Sequence, residues 1–453
     1  MVSHHARAIS FALILTSAGV SLAEERPPPD VTRGERFDGR ARDPRAARAR
    51  ALWIPRILLW PFRMFERGLE YPVRALTEWS ERHHIVRRVM RLITSEDGLV
   101  GVRPTLSYTA GFVPIFGGTF FDRRFIGPGT SFDLTVSGAD PNIVFIQTHV
   151  RPTPERRAVE AAFEATYNRR NDQLFTGVGP STGVPNGSRY AVDAFDLDGH
   201  AQVIAAAPVR FLFGGRFGLR RFGNGRLIGG DLPIEEVYCV RDARAVCIPG
   251  TIDERLVPGF RQGTQFLRGA AAVRVDTRDS MVSPSSGAIV HLELQYTHGL
   301  GDSDPSSYVR LHGGVEAAID LWQRSRVLVL RATSDLLLPI GDAPVPFSEL
   351  VVLGGHEDLR GARPGRYRDF SSLLLSAEYR WPVWMWMDAM LFADWGGVFG
   401  QRFAGFSVDA MVPALGGGLR VRTYSQFFLS MEGAYGFGSS NGWQFFFAAS
   451  TEP

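Results

Sequence analysis

The chain has 453 residues and no lysine; all 50 of its basic residues are arginine. That leaves no amine for a Schiff base and no P-loop lysine. An all-arginine complement is what GC-rich codon usage produces. Arginine-rich patches therefore do not argue for nucleic acid, and no nucleic-acid partner is expected. Cysteine is nearly absent, with only Cys239 and Cys247. Beyond the first two dozen residues no apolar run reaches the roughly 18 residues of a membrane-spanning helix. The ten histidines show no metal-ligand spacing. His83-His84 falls on a helical piece and faces solvent or lipid headgroups. No serine sits in a nucleophile elbow, and no Ser–His pair suits a lipolytic barrel. Gly416-Gly417-Gly418 lies in strand context, where glycine allows curvature rather than phosphate binding. The expectation is no enzyme, with no catalytic, cofactor or metal residues and no cofactor.

The amino terminus resembles an export signal. His4, His5 and Arg7 precede a short apolar run over 8–20, and Ser21-Leu22-Ala23 offers small residues for cleavage. Residues 1–23 are read as a signal peptide. Residues 24–50, rich in Arg and Pro, read as a disordered linker. Residues 51–97 read as an amphipathic helical extension, broken by Pro55, Pro61 and Pro72. Its Trp- and Arg-rich face suits a membrane interface or packing against the rest of the chain, and both readings stay open. In an oxidising compartment the nine-residue stretch Cys239–Cys247 is expected to close as a disulfide.

Residues 98–453 change character and alternate with period two. Val290, Leu292, Leu294 and Tyr296 form one face, and His291, Glu293, Gln295 and Thr297 the other. Residues 157–168 are rich in helix formers, yet Val159, Phe163 and Tyr167 alternate with Glu160, Glu164 and Asn168. Period outranks propensity here, so a strand is expected. Sixteen strands are expected, beginning near Val100, Gly117, Thr130, Asn142, Arg157, Asp193, Val209, Thr264, Gly287, Ser307, Arg326, Ser371, Met387, Val412, Gln426 and Gly442. Charges fall mid-strand on the polar faces, which suits a wet lumen better than the core of a β-sandwich. Open sheet edges are not tolerated in lipid, so such a sheet closes. The fold class is all-β: a 16-stranded antiparallel transmembrane β-barrel with a short helical N-terminal extension. If strand one rises from the periplasm, the two longest connections, about 222–263 and 340–370, are extracellular.

One stretch concentrates unusual features. Residues 353–395 carry a loop rich in Gly and Arg, then two strands in which Trp381, Trp384, Trp386 and Trp395 crowd beside Glu378 and Asp394. By parity the tryptophans face lipid or its interface, and the two carboxylates face the lumen.

The order of motifs resembles the BamA/TamA-like superfamily of outer-membrane assembly and translocation barrels, the bacterial surface antigen family. Three features carry the resemblance. Val273-Arg274-Val275-Asp276-Thr277-Arg278-Asp279 is followed by Pro284-Ser285-Ser286-Gly287. Leu359-Arg360-Gly361 matches the loop motif of the family. Ala377-Glu378-Tyr379 and Phe392-Ala393-Asp394-Trp395-Gly396 match the next two strands. The resemblance spans residues 98–449 and is strongest over 265–421. It implies a loop folded into the lumen, with Arg360 locked on Glu378 and Asp394. It also implies a lateral seam between the first and last strands, where Pro104 cannot donate a ladder hydrogen bond.

Three departures stand beside it. Ala362 occupies the position of the family's aromatic residue, a role Tyr367 could take. The segment 24–97 lacks a strand pattern, so periplasmic POTRA modules are not expected. The chain ends AASTEP after Phe445-Phe446-Phe447, so the assembly signal is expected inside the last strand. The functional expectation is a non-catalytic outer-membrane barrel that inserts or translocates protein or lipid. Its expected partners are outer-membrane lipid and client outer-membrane proteins or lipids. The alternative is a passive pore or structural surface antigen.

Overall fold

A computed structural model describes residues 93–449, apart from 154–158, 181–186, 207, 281–282, 302–304, 323–325, 385–386, 423–426 and 439–441. The expected signal peptide, the linker, residues 51–92 of the helical extension and Trp386 lie outside the described residues.

Sixteen long strands make the wall: β1 Val100–Thr109, β2 Ile115–Asp122, β3 Ser131–Asp140, β4 Ile143–Arg151, β5 Val159–Phe175, β6 Ser188–Ala206, β7 Val209–Asn224, β8 Thr264–Asp276, β9 Gly287–Gly299, β10 Ser307–Asp320, β11 Val327–Ile340, β12 Ser371–Trp384, β13 Met387–Phe399, β14 Val412–Arg422, β15 Phe427–Gly436 and β16 Trp443–Ala449. Each pairs antiparallel with the next, and β16 returns to β1 to close the barrel. The start of β6 differs most from expectation, at Ser188 rather than near Asp193.

The wall is inside out relative to a soluble protein. Phe120, Ile146, Phe163, Leu197, Phe213, Leu292 and Leu415 point outward and are exposed. On the opposite parity Asp133, Glu164, Asp196, Arg216, Arg274, Glu293 and Asp335 are buried. Only a bilayer outside and a polar interior make that pattern favourable, since charges facing a lumen keep partners and water while apolar side chains meet hydrocarbon. The strand over 157–168 illustrates the rule. Its helix formers extend because Val159 and Phe163 face out while Glu164 and Thr166 face in. Trp381 shares the outward parity of exposed Leu375 yet is buried, packed with Tyr379, Val383, Met387 and Ala389.

The long connections gather at one end, opposite the end where β1 begins. Strands β5 and β6, at 17 and 19 residues, overshoot their neighbours there. Loop 225–263 folds over them. Ile234, Tyr238, Ile252, Val257 and Phe260 pack on Phe175, Tyr190 and Val192. Cys239 and Cys247 form a disulfide within this loop, with Cα atoms 5.6 Å apart.

Wall pairings differ in length. Among the described residues the β5–β6 ladder holds fifteen residue pairs, whereas β1 and β16 share four, from Leu106↔Ala449 to Thr109↔Phe446. Pro104 pairs with Gly118 on the β2 side and lies two residues before Leu106, the partner of Ala449.

Candidate functional site

Loop 341–370, between β11 and β12, turns inward. Val351–Leu353 and Tyr367–Asp369 form a short antiparallel ribbon that carries the tip into the lumen. At the tip Gly355 N–H donates to the Ala362 carbonyl at 3.0 Å, and Ala362 N–H to that of Leu359 at 3.0 Å. Gly354 enters the turn at φ +124°, and a Cβ there would lie 2.5 Å from the Arg363 carbonyl oxygen. Leu359 and Ala362 are fully buried with Leu353, Tyr367, Leu374, Val398 and Ala414. Tyr367 is the aromatic member of this cluster. Gly361 is pressed on the wall: a Cβ would stand 2.4 Å from Ala414 Cβ and 2.6 Å from Gly436 Cα. Glycine is required there by close approach, not by turn geometry.

These contacts present Arg360 to the floor of the site. Its Nε donates to Asp394 Oδ2 at 2.8 Å and its Nη2 to Asp394 Oδ1 at 2.7 Å. Nη1 donates to Glu378 Oε2 at 2.9 Å, and Nη2 also reaches Ser376 Oγ at 3.1 Å. The guanidinium carbon stands 3.4 Å from the centre of the Phe392 ring. A planar fork gripping one carboxylate bidentately while touching a second is geometry that lysine cannot supply.

Four further participants were given no role at this site by the sequence, although Phe392 stands in the strand motif. Glu432 on β15 lies 3.8 Å from Arg360 Nη1. Arg420 on β14 donates to Glu432 Oε1 at 2.9 Å and to Glu378 Oε1 at 3.3 Å. Arg380 also bonds Glu378. Phe392 lies flat beneath Arg360 because Gly416 leaves room, a Cβ there standing 2.4 Å from Phe392 Cζ. Three cations, Arg360, Arg380 and Arg420, thus face three carboxylates, Glu378, Asp394 and Glu432. The parity that exposed Glu378 also puts Glu432 and Ala434 on a buried face opposite exposed Met431 and Tyr435.

The same loop is held at its root. Tyr308 Oη donates to Glu349 Oε2 at 2.7 Å, and Arg268 pairs with the same oxygen while its Nε donates to Thr297 Oγ1 at 2.8 Å. Burial raises the Glu349 carboxyl, but Arg268 and Arg220 outweigh it and hold it down at about 2. Phe347 is fully buried between Phe175, Tyr190, Phe222 and Phe260 beneath loop 225–263. Arg363 and Arg189 both donate to Asp231 Oδ2, at 2.8 and 2.6 Å. Gly179 N–H donates to the Arg368 carbonyl at 2.8 Å. The loop therefore bonds residues of β8, β10, β12 and β13, together with Gly179 and Asp231 in the connections after β5 and β7, and so crosses the interior from wall to wall.

Of the sequence-derived residues, Leu359, Arg360, Gly361, Glu378 and Asp394 come together in this one site. Pro104 lies on the seam strand β1, and the Cys239–Cys247 pair lies in loop 225–263, apart from the site.

Comparison with known proteins places the barrel. No curated protein matches the chain by sequence. Among solved structures, BamA from Haemophilus ducreyi lacking POTRA domains 1–3 is similar, with a TM-score of 0.54 and 13% identity over 78% of this chain and 70% of that one. CdiB from Escherichia coli is less similar, with a TM-score of 0.47 and 9% identity over 77% of this chain and 62% of that one. The family model of the Omp85 superfamily domain matches residues 263–445, a span that begins with β8 and contains the inward loop and all three motifs. Residues 263–445 thus match the Omp85 superfamily domain, and they form the part of a closed 16-stranded antiparallel β-barrel that runs from β8 into β16.

Proposed function

We propose that this protein is a non-catalytic barrel of the bacterial outer membrane that inserts or translocates client proteins or lipids, using its wall rather than an open lumen. The observation that carries the reading is the loop 341–370 itself. It crosses the interior, buries Arg360 against Glu378 and Asp394, and roots itself through Glu349 and Phe347 beneath loop 225–263. A passive pore gains nothing from a loop pinned across its bore. A client-handling barrel gains a braced scaffold on which one weak line of the wall can open. The β1–β16 seam, with four residue pairs among the described residues and Pro104 two positions from them, suits that line. Long loops at one end suit the extracellular face, with β1 rising from the periplasm.

Two experiments test this. Depletion should lower the amounts of other outer-membrane barrels or of surface lipids; a change in small-solute permeability alone would favour the pore. Ser107 and Ala448 face each other across the seam. Cross-linking a Ser107→Cys, Ala448→Cys double variant should abolish complementation under oxidising conditions and restore it on reduction. Full complementation by the cross-linked form would exclude opening at this seam.

A further inference from the structure

Within the lumen two histidines face each other across neighbouring strands, far from the Arg360 network in sequence. His291 on β9 and His312 on β10 bring their Nε2 atoms to 3.1 Å. Their rings are tilted by only 30° with centroids 5.0 Å apart, so the two nitrogen edges converge. We propose that this pair is a binding site for a borderline divalent transition ion of the copper(II), nickel(II) or zinc(II) class, held by the two imidazoles and completed by lumenal water.

Three observations support it. Two nitrogens 3.1 Å apart, each about 2.0–2.1 Å from a shared ion, subtend about 100° at it, between square and tetrahedral angles. Behind His312, Asp335 Oδ2 lies 3.0 Å from Nδ1. A carboxylate there keeps the proton on Nδ1 and turns the Nε2 lone pair to the ion, the usual outer-shell arrangement for metal-bound histidine. Finally, Gly314 lies directly opposite His291 in the ladder. A Cβ there would stand 2.6 Å from His291 Cε1, so glycine opens the slot in which the imidazole lies. Both histidines are partly exposed to the interior.

The site is an open one. Among the described residues no three His, Cys, Asp or Glu side chains gather as a closed metal centre. Glu293 and Asp335 both face His312 in register and offset the charge of an incoming cation, against Arg310 beside Asp335 and Arg274 opposite His291. The bare alternative is a hydrogen bond from His291 Nε2–H to His312 Nε2; when an ion binds, that proton passes through water to His291 Nδ1, so both rings stay neutral and both Nε2 lone pairs face the metal.

The test uses the full exported chain in detergent, free of any affinity tag, with His83→Ala and His84→Ala removing the other adjacent imidazole pair. Titration with Cu²⁺ should show one tightly held equivalent with electron-spin hyperfine structure from two nitrogens. His291→Ala and His312→Ala should each weaken it at least tenfold, and Asp335→Asn by about tenfold, while His298→Ala leaves it unchanged. Unchanged affinity in both histidine variants would overturn the proposal. Should those variants fail to fold, the parent protein still decides. Zn²⁺ should protect His291 and His312, but not His298, from acylation by diethylpyrocarbonate, and equal modification with and without Zn²⁺ refutes the site.

Discussion

Arg360 and Asp394 meet fork to fork: Nε to Oδ2 at 2.8 Å and Nη2 to Oδ1 at 2.7 Å, with both side chains buried. The loop backbone joins the same pair, since Arg360 N–H points at Asp394 Oδ2 from 3.3 Å. One carboxylate on β13 thereby fixes both the side chain and the main chain of a loop that leaves the wall between β11 and β12.

Removing this arginine should cost more than one bond. Arg360→Ala leaves Asp394 and Glu378 facing each other with a cation lost, a change on the order of 3 kcal/mol for a buried pair. The barrel should unfold at a lower temperature, read as heat-modifiable mobility on a gel. Arg360→Lys should recover only part, because an ammonium cannot grip both Asp394 oxygens. Arg360→Ala combined with Asp394→Asn should lose less than the sum of the two single changes. Unaltered mobility of Arg360→Ala would show that the pair does not brace the loop.

Gly361 makes a sharper demand on the same loop. A Cβ there would stand 2.4 Å from Ala414 Cβ and 2.8 Å from the Gly436 backbone nitrogen. Gly361→Ala should push the tip off the wall and cost about 1–3 kcal/mol through overpacking. Ala414→Gly should rescue it only partly, since the Gly436 backbone remains in the way. The midpoint of heat-modifiable mobility in the single and double variants checks this, and full rescue would place the clash on Ala414 alone.

Much of this was legible in the sequence, and the gaps have physical causes. Period-two alternation located the strands because every wall residue must choose lipid or lumen. It failed at the start of β6. There Ser188, Arg189 and Tyr190 are all buried, and Tyr190 and Val192 pack beneath loop 225–263. A strand covered on both faces does not alternate. Arg360, Glu378 and Asp394 were legible through parity together with family resemblance. Glu432 and Arg420 were not, because the approach of Glu432 to Arg360 and of Arg420 to Glu378 depends on the curvature of the wall across β14 and β15. The His291–His312 contact was hidden likewise, by a hairpin that places residues 21 positions apart side by side.

Acid should release the root of the loop at a definable point. Burial pushes the Glu349 carboxyl up, but Arg268 and Arg220 more than compensate and hold it at about 2, below its ordinary 4.5. A carboxyl depressed on folding stabilises fully above its unfolded value and loses that contribution as pH falls toward the folded one. Wild type should therefore exceed Glu349→Gln in thermal stability by a constant margin above about pH 5. The margin should shrink between pH 4.5 and 2. A margin that stays flat down to pH 2 would mean that the Glu349 charge contributes nothing.

The disulfide of loop 225–263 can be read by proteolysis. Arg241 and Arg244 lie between Cys239 and Cys247 and are exposed. Trypsin acting briefly on a folded barrel in which the exposed Arg226, Arg255 and Arg261 outside the bridge are changed to Gln should cut there, since exposed loops are preferred sites of nicking. Without reductant the nicked chain should migrate as one species, because the bridge joins the two sides of the cut. With reductant it should separate into two fragments on a denaturing gel. Separation of fragments cut between Cys239 and Cys247 without reductant would show that the protein carries these cysteines reduced. In that case the covering of Phe175, Tyr190 and Phe347 would rest on the packing of Ile234, Tyr238 and Phe260 alone.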